Sequence, residues 1–232
     1  MSKVALLTGF EPYGGRDLNP SAEVVKYLDG LEIEGHRVAG RILPVSMSPL
    51  RRRIHELMQE TDPAVVLSLG LCPGEPVIRL ERIAVNIADF EIADNEGALL
   101  RDDRIATAAP VALEATLPLR AIERALLRAG IPARLSTTAG TFLCNATMYT
   151  VLDTERAAAG LPCGFIHLPY LPEQVARLLA DVRAGTSVGS PARADHPSMS
   201  LSTMIEAVRL ALEVSLSEGT PPDREPGRRP LP

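Results

Sequence analysis

Residues 64–69 read AVVLSL, a nearly unbroken apolar run with no inside–outside alternation. A strand of this kind belongs in a sheet covered on both faces. The segments around it alternate strand with helix. Upstream, residues 4–8 (VALLT) run into Gly9 and read as a first buried strand. Asn19 and Pro20 then open a helix, with Asn as the cap and Pro in the first helical position. That helix carries Val24, Val25 and Leu28 and stops at Gly30. Residues 38–43 form a second strand. Residues 48–60 form an amphipathic helix, with Leu50, Ile54, Leu57 and Met58 on one face and Arg51, Arg52 and Arg53 turned to solvent.

Downstream, residues 77–87 read as a strand or extended ribbon and 119–128 as a helix stopped by Gly130. A strand at 133–138, a helix at 145–156, a strand at 164–168 and helices at 172–182 and 201–216 follow. The order predicts an α/β fold: one compact domain over residues 1–216, with a central twisted mixed sheet flanked by helices on both faces. Residues 185–197 are rich in Gly, Ser and Pro and read as a surface loop. Residues 217–232 cannot bury a core and are expected to be a disordered C-terminal tail.

Composition narrows the class. The 232 residues carry a net charge of -5, which argues against a nucleic-acid surface. Of 24 basic residues only Lys3 and Lys26 are lysines, an Arg bias that reads as a GC-rich genome. No apolar run reaches membrane-spanning length, and the opening MSKVALLTGF has no secretory cleavage pattern. Cys72, Cys144 and Cys163 stand in no metal-ligand spacing, and free thiols point to a reducing cytoplasm. Aromatic residues are scarce. Phe10, Tyr13, Phe90, Phe142, Tyr149, Phe165 and Tyr170, seven of the eight, fall in four short segments, which suggests a lined pocket.

Those segments also hold the reactive residues. In STTAGTFLCNATMY (136–149), Cys144 follows a small-residue turn and precedes a helical pattern. A thiol at a helix start feels partial positive charge, which favours thiolate. A lone cysteine is nonetheless most often a small buried apolar side chain. A cysteine hydrolase also needs an imidazole and a group to orient it. His36 lies in a polar turn, His55 on a surface helix and His196 in the loop. His167, in GFIHLPYLPEQ, ends a short apolar strand, where α/β sites form; a hydrogen-bonded core histidine is the equal alternative. Glu81, in IRLERIAVN, is an acid in a segment that should be buried. From the residues alone, an ion pair with Arg79 or Arg82 is the better explanation. Cys163 is expected to point away from His167. The loop GFEPYGG (9–15) matches neither nucleotide-binding glycine spacing, and Phe10 and Tyr13 read as a lip over a small flat ligand.

Five segments together resemble the pyrrolidone carboxyl peptidase family of cysteine peptidases. They are LLTGFEPYGG..NPS (6–21), ERIAVNIADFEIADNEG (81–97), STTAGTFLCN (136–145), GFIHLPYLPEQ (164–174) and PSMSLSTMIEA (197–207). The resemblance implies a compact α/β fold, a cytoplasmic location and a homotetramer. It implies hydrolysis of N-terminal pyroglutamyl residues from peptides with no metal or cofactor, no nucleic acid and no membrane. It further implies Cys144 as nucleophile, His167 as general acid/base and Glu81 as its orienting group, with Phe10, Tyr13, Leu71, Ile92 and Phe142 at the lactam pocket. Tyr13 replaces a more usual Phe, and Leu71 a Gln found in many bacterial members, so that contact is expected from backbone. Glu91 replaces an Arg that is thought to stabilise the oxyanion. That reversal is the best argument for a non-catalytic binding protein on the same fold. A nucleoside phosphorylase-like transferase is the other alternative, and the first loop lacks the phosphate-binding residues it needs.

Overall fold

The computed structural model describes residues 3–185 and 194–217. The expected tail beyond Ser217 and most of the expected loop at 185–197 lie outside the described residues. The first half of the chain runs β1 (Val4–Phe10), α1 (Pro20–Leu28), β2 (Glu32–Ile33), β3 (His36–Leu43), α2 (Met47–Thr61) and β4 (Val65–Leu71). The second half runs β5 (Ile78–Glu81), β6 (Ile83–Val85), β7 (Ala112–Glu114), α3 (Leu119–Arg128), β8 (Ala133–Ser136), α4 (Leu143–Leu152), α5 (Glu155–Ala158), β9 (Cys163–Leu168), α6 (Pro172–Ala184) and α7 (Leu201–Leu216).

Among the described residues, seven strands form one mixed sheet in the order β2-β3-β1-β4-β9-β5-β8. Strands β3, β1, β4 and β9 are parallel neighbours, β5 runs antiparallel to β9, and β8 runs parallel to β5. The AVVLSL run lies in the middle of this sheet, and every residue of β4 is buried, as a doubly covered strand requires. Alternate residues serve two cores. Ala5, Leu7, Val65, Leu67, Leu69, Leu80 and Ile166 pack with α1, α3 and α7. Leu6, Phe10, Val66, Cys163 and Phe165 pack on the opposite face with α2 and α4. The α/β fold with helices on both faces is therefore the one expected.

Two boundaries differ from expectation in ways that shape the site. The 77–87 ribbon is two strands: β5 belongs to the main sheet, while β6 pairs with β7 in a separate ribbon. Main-chain bonds from Arg82 N to Ser136 O (2.8 Å) and from Ala115 N to Arg82 O (2.8 Å) divide them, leaving Glu81 at a strand end. Helix α4 begins at Leu143, not at residue 145, which puts Cys144 inside its first turn.

The first loop is held where the sequence marks it. Asn19 caps α1 by accepting from Ser21 N at 3.1 Å, and the Ser21 hydroxyl accepts from Phe10 N at 3.0 Å. A Cβ on Gly9 would come within 2.7 Å of Ser21 O, so only glycine lets the helix start sit on β1. Among the described residues no helix is long and apolar enough to cross a membrane.

Candidate active site

Three neighbouring strand ends build one side of the site. Strand β9 presents His167, which is 5% exposed, and β5 presents Glu81, which is fully buried. His167 Nδ1 lies 2.8 Å from Glu81 Oε1. A carboxylate only accepts, so this contact places the ring proton on Nδ1 and leaves Nε2 with its lone pair. The Phe165 ring packs against the imidazole at a centroid distance of 4.9 Å. Glu81 is thus not merely the partner of an arginine. Arg79 does lie close, with Nε 3.0 Å from the same Oε1, but it shares Glu81 with the histidine. The Arg79 contact is ionic and not an aligned hydrogen bond. Arg82 is elsewhere, half exposed and 3.6 Å from Glu114.

Cys144 reaches this group from the helix above the sheet. A Cβ built on Gly70 would lie 2.7 Å from Cys144 Sγ and 2.8 Å from Phe165 Cζ. The thiol therefore sits directly over a bare stretch of β4. Gly70 is the register partner of His167 on the neighbouring strand, so thiol and imidazole share one face across a single strand spacing. Sequence reasoning missed Gly70. Its signal was a glycine inside an otherwise apolar strand, which marks close approach by another group.

The turn ahead of Cys144 is fastened on both sides. Thr141 donates to Asp89 O at 2.6 Å and Asp89 N donates to Thr141 O at 3.1 Å. Asn145, fully buried, accepts from Val85 N at 2.9 Å and donates to Val85 O and Ile87 O at 2.9 and 3.0 Å. The first-turn amides of α4 have no partner within the helix, and that of Cys144 faces its own sulfur. The expectation of a favoured thiolate needs correction. Burial pushes the Cys144 thiol well above its ordinary range, and Cys72 and Glu81 push the same way; only the helix-start amide opposes them. Cys163 also departs from expectation. It lies on the same face of β9 as His167, not turned from it, but Phe165 stands between them and Cys163 is fully buried.

An open pocket of about 250 Å³ adjoins the thiol. Phe10, Tyr13, Leu71 and Phe142 line it together with Asn19, Val45, Leu143 and Cys144. Four of the five expected pocket residues are thus brought together. Ile92 is not among the lining residues; it is 46% exposed and approaches the first loop at Gly14. Phe90 supports Phe142 edge-on at 4.6 Å. Tyr149, expected near the pocket, is a buried residue of α4 absent from the pocket lining, and it donates to Pro110 O at 2.6 Å. The DNEG segment closes the rim: Asp94 accepts from Met47 N at 2.9 Å, and Asn95 donates to Glu11 Oε1 at 2.9 Å and to Pro12 O at 3.0 Å. Glu91, three residues before that segment, is exposed.

This arrangement sets a thiol and a carboxylate-held imidazole on one sheet face beside a small apolar cleft, the layout of a thiol hydrolase. The profile of the pyroglutamyl peptidase family matches residues 3–218. A pyrrolidone-carboxylate peptidase of Pyrococcus furiosus is 40% identical over 215 residues, 92% of this chain and 98% of its own length. One from Chromobacterium violaceum is 39% identical over 228 residues, 97% of this chain and 98% of its own. The solved pyrrolidone carboxyl peptidase of Thermococcus litoralis superimposes with a TM-score of 0.83 at 41% identity, covering 92% of this chain and 93% of that one. Profile, relatives and fold converge on one lineage: this chain belongs to the pyroglutamyl peptidase family.

Proposed function

We propose that this protein removes N-terminal pyroglutamyl residues from peptides, with Cys144 as nucleophile, His167 as general acid/base and Glu81 as the group that orients His167. The observation that carries the assignment of roles is the thiol lying over Gly70, in register with an imidazole whose Nδ1 is held by Glu81. His167 Nε2 takes the Sγ proton as sulfur attacks the carbonyl between pyroglutamate and the next residue. The developing oxyanion is met by the unpaired amides at the start of α4. Collapse breaks the C–N bond, and the leaving amine takes the proton from Nε2. A thioester remains. Water then gives a proton to Nε2 and attacks the thioester carbonyl, the C–S bond breaks, and sulfur recovers the proton as pyroglutamate leaves.

Phe10, Tyr13, Leu71 and Phe142 suit the flat, neutral lactam ring, and Ile92 serves at the outer rim of the same loop cluster. The reading extends to peptides as the substrate partner, a cytoplasmic location, a homotetramer and one domain over residues 1–216. The family resemblance supports those extensions, and light scattering tests the assembly state. Hydrolysis of a fluorogenic pyroglutamyl amide tests the activity. Turnover should occur, iodoacetamide should stop it, and Cys144→Ala should lower it by roughly 10⁴-fold or more. Full activity in Cys144→Ala sinks the assignment.

A further inference from the structure

The triad leaves one buried charge unaccounted for. Arg79 is the direct cross-strand partner of His167, and its side chain is only 15% exposed. Its Nε lies 3.0 Å from Glu81 Oε1, the oxygen that holds His167. Its Nη2 donates to Ser136 Oγ and to Thr138 O, both at 2.6 Å, and Thr138 opens the turn that leads to Cys144. Its Nη1 lies 3.4 Å from both Glu75 Oε2 and Cys72 Sγ. We propose that Arg79 is a positioning residue of the peptidase reaction, which keeps Glu81 a carboxylate on His167 and ties that acid to the turn carrying Cys144.

The electrostatics require such a group. Glu81 is fully buried, and its Oε2 has no hydrogen-bond partner among the described residues. A buried carboxylate is costly unless it is paired. When His167 is neutral, Arg79 is the only cation in contact with Glu81 among the described residues. Without it the acid would gain from taking up a proton, and a protonated Glu81 donates to Nδ1. That donation moves the ring proton to Nε2, where the imidazole can no longer accept from sulfur. The guanidinium is itself held in place by charge. Burial would lower Arg79, but Glu81, Cys72 and Glu75 together hold it above its ordinary value.

The charged and titratable groups around this centre are few. Glu81 and Arg79 come from β5, His167 from β9, and Cys144 from the start of α4. Cys72 and Glu75 come from the loop after β4, Tyr13 lies beyond Cys144 and Cys72, and Arg134 of β8 contacts Glu75 at 3.1 Å. Among the described residues, Arg79 and Arg134 balance Glu75 and Glu81, and Arg16 lies over the Tyr13 ring at 5.3 Å to its centroid. Removing Arg79 leaves one net negative charge, which disfavours neighbouring anions and favours neighbouring cations.

The inference rests on the peptidase reading, so its test uses two readouts. One is kcat/KM against pH on a pyroglutamyl amide. The other is the pH dependence of Cys144 alkylation by iodoacetamide, followed by mass in a Cys72→Ser background. In Arg79→Met both limbs of the rate profile should move up by about one pH unit, and the alkylation curve should move with them. Below the acid limb, kcat/KM then falls about tenfold. Arg79→Lys keeps the charge and should keep the limbs, with kcat lowered by loss of the Thr138 bond. Glu75→Gln should move both limbs down, which tests the idea even where the Met variant does not fold. Unmoved limbs in folded Arg79→Met, or an upward shift in Glu75→Gln, overturn the inference. Absence of turnover by the native protein sinks the peptidase reading instead, while the alkylation curves still report on Arg79.

Discussion

The two sides of the site are built from different material. The acid–base side is strand: Gly70, Arg79, Glu81 and His167 occupy three adjacent strands whose register is fixed by main-chain bonds. The pocket side is loop: Phe10 and Tyr13 follow β1, Phe142 precedes α4, and Ile92 sits on a long connection between β6 and β7. The strand residues are buried within a rigid sheet, whereas Ile92 is nearly half exposed. A sheet fixes side-chain positions within fractions of an ångström, while loops admit substitution and movement. Chemistry should therefore fail sharply when the strand side is altered, and recognition should fail gradually when the loop side is altered.

The largest effects test the strand side. His167→Ala should abolish turnover about as completely as loss of Cys144, because base and nucleophile act as a unit. Glu81→Gln should retain more, at a loss of roughly 10³-fold in kcat, since the amide can accept a bond from Nδ1 but brings no charge. If Glu81→Gln leaves kcat unchanged, the acid does not orient His167. Gly70→Ala should cost about 100-fold in kcat, because its Cβ displaces Sγ or Phe165 by a sizeable fraction of an ångström. A fully active Gly70→Ala protein would show that the thiol reacts from another position.

Smaller effects are expected on the loop side. Phe142→Ala removes a pocket wall and should raise KM about tenfold with kcat largely kept. A collapse of kcat there would mean that the turn before Cys144 depends on Phe142 for its shape. Glu91→Arg is the mildest test. Glu91 is exposed, so the charge change should alter kcat/KM by less than about threefold at physiological salt. A gain of tenfold or more would show that a cation at that position reaches the oxyanion.

The same division explains what the sequence disclosed. The strand side was legible because period-two patterning sets which residues share a face. The apolar run of β4 announced a covered sheet, and Glu81 and His167 stood out as polar residues in apolar strands. The amphipathic face of α2 was legible for the same reason: Leu50, Ile54, Leu57 and Met58 are all buried. The break between β5 and β6 was not, since it depends on Arg82 bonding across to Ser136 and Ala115, contacts with no local signature. Placing Ile92 needed the path of the chain between β6 and β7. The Cys144 thiol misled because helix-start polarity can be read locally, whereas the burial that outweighs it comes from the whole fold. Arg79 was visible as a possible partner of Glu81, but its reach to Thr138 was not.

The position of β9 has a further meaning for how the protein comes into being. It is the latest strand of the sheet in the chain, yet it lies between β4 and β5. During synthesis, Cys144 emerges from the ribosome well before His167, and β4 and β5 cannot reach their final separation until β9 inserts between them. The nascent chain thus carries the proposed nucleophile without its proposed base. Long-range parallel pairing of this kind is intrinsically slow. On the roles proposed above, catalytic competence and closure of the central sheet are then one event, and a growing or half-folded copy is inert toward peptides until its architecture is complete.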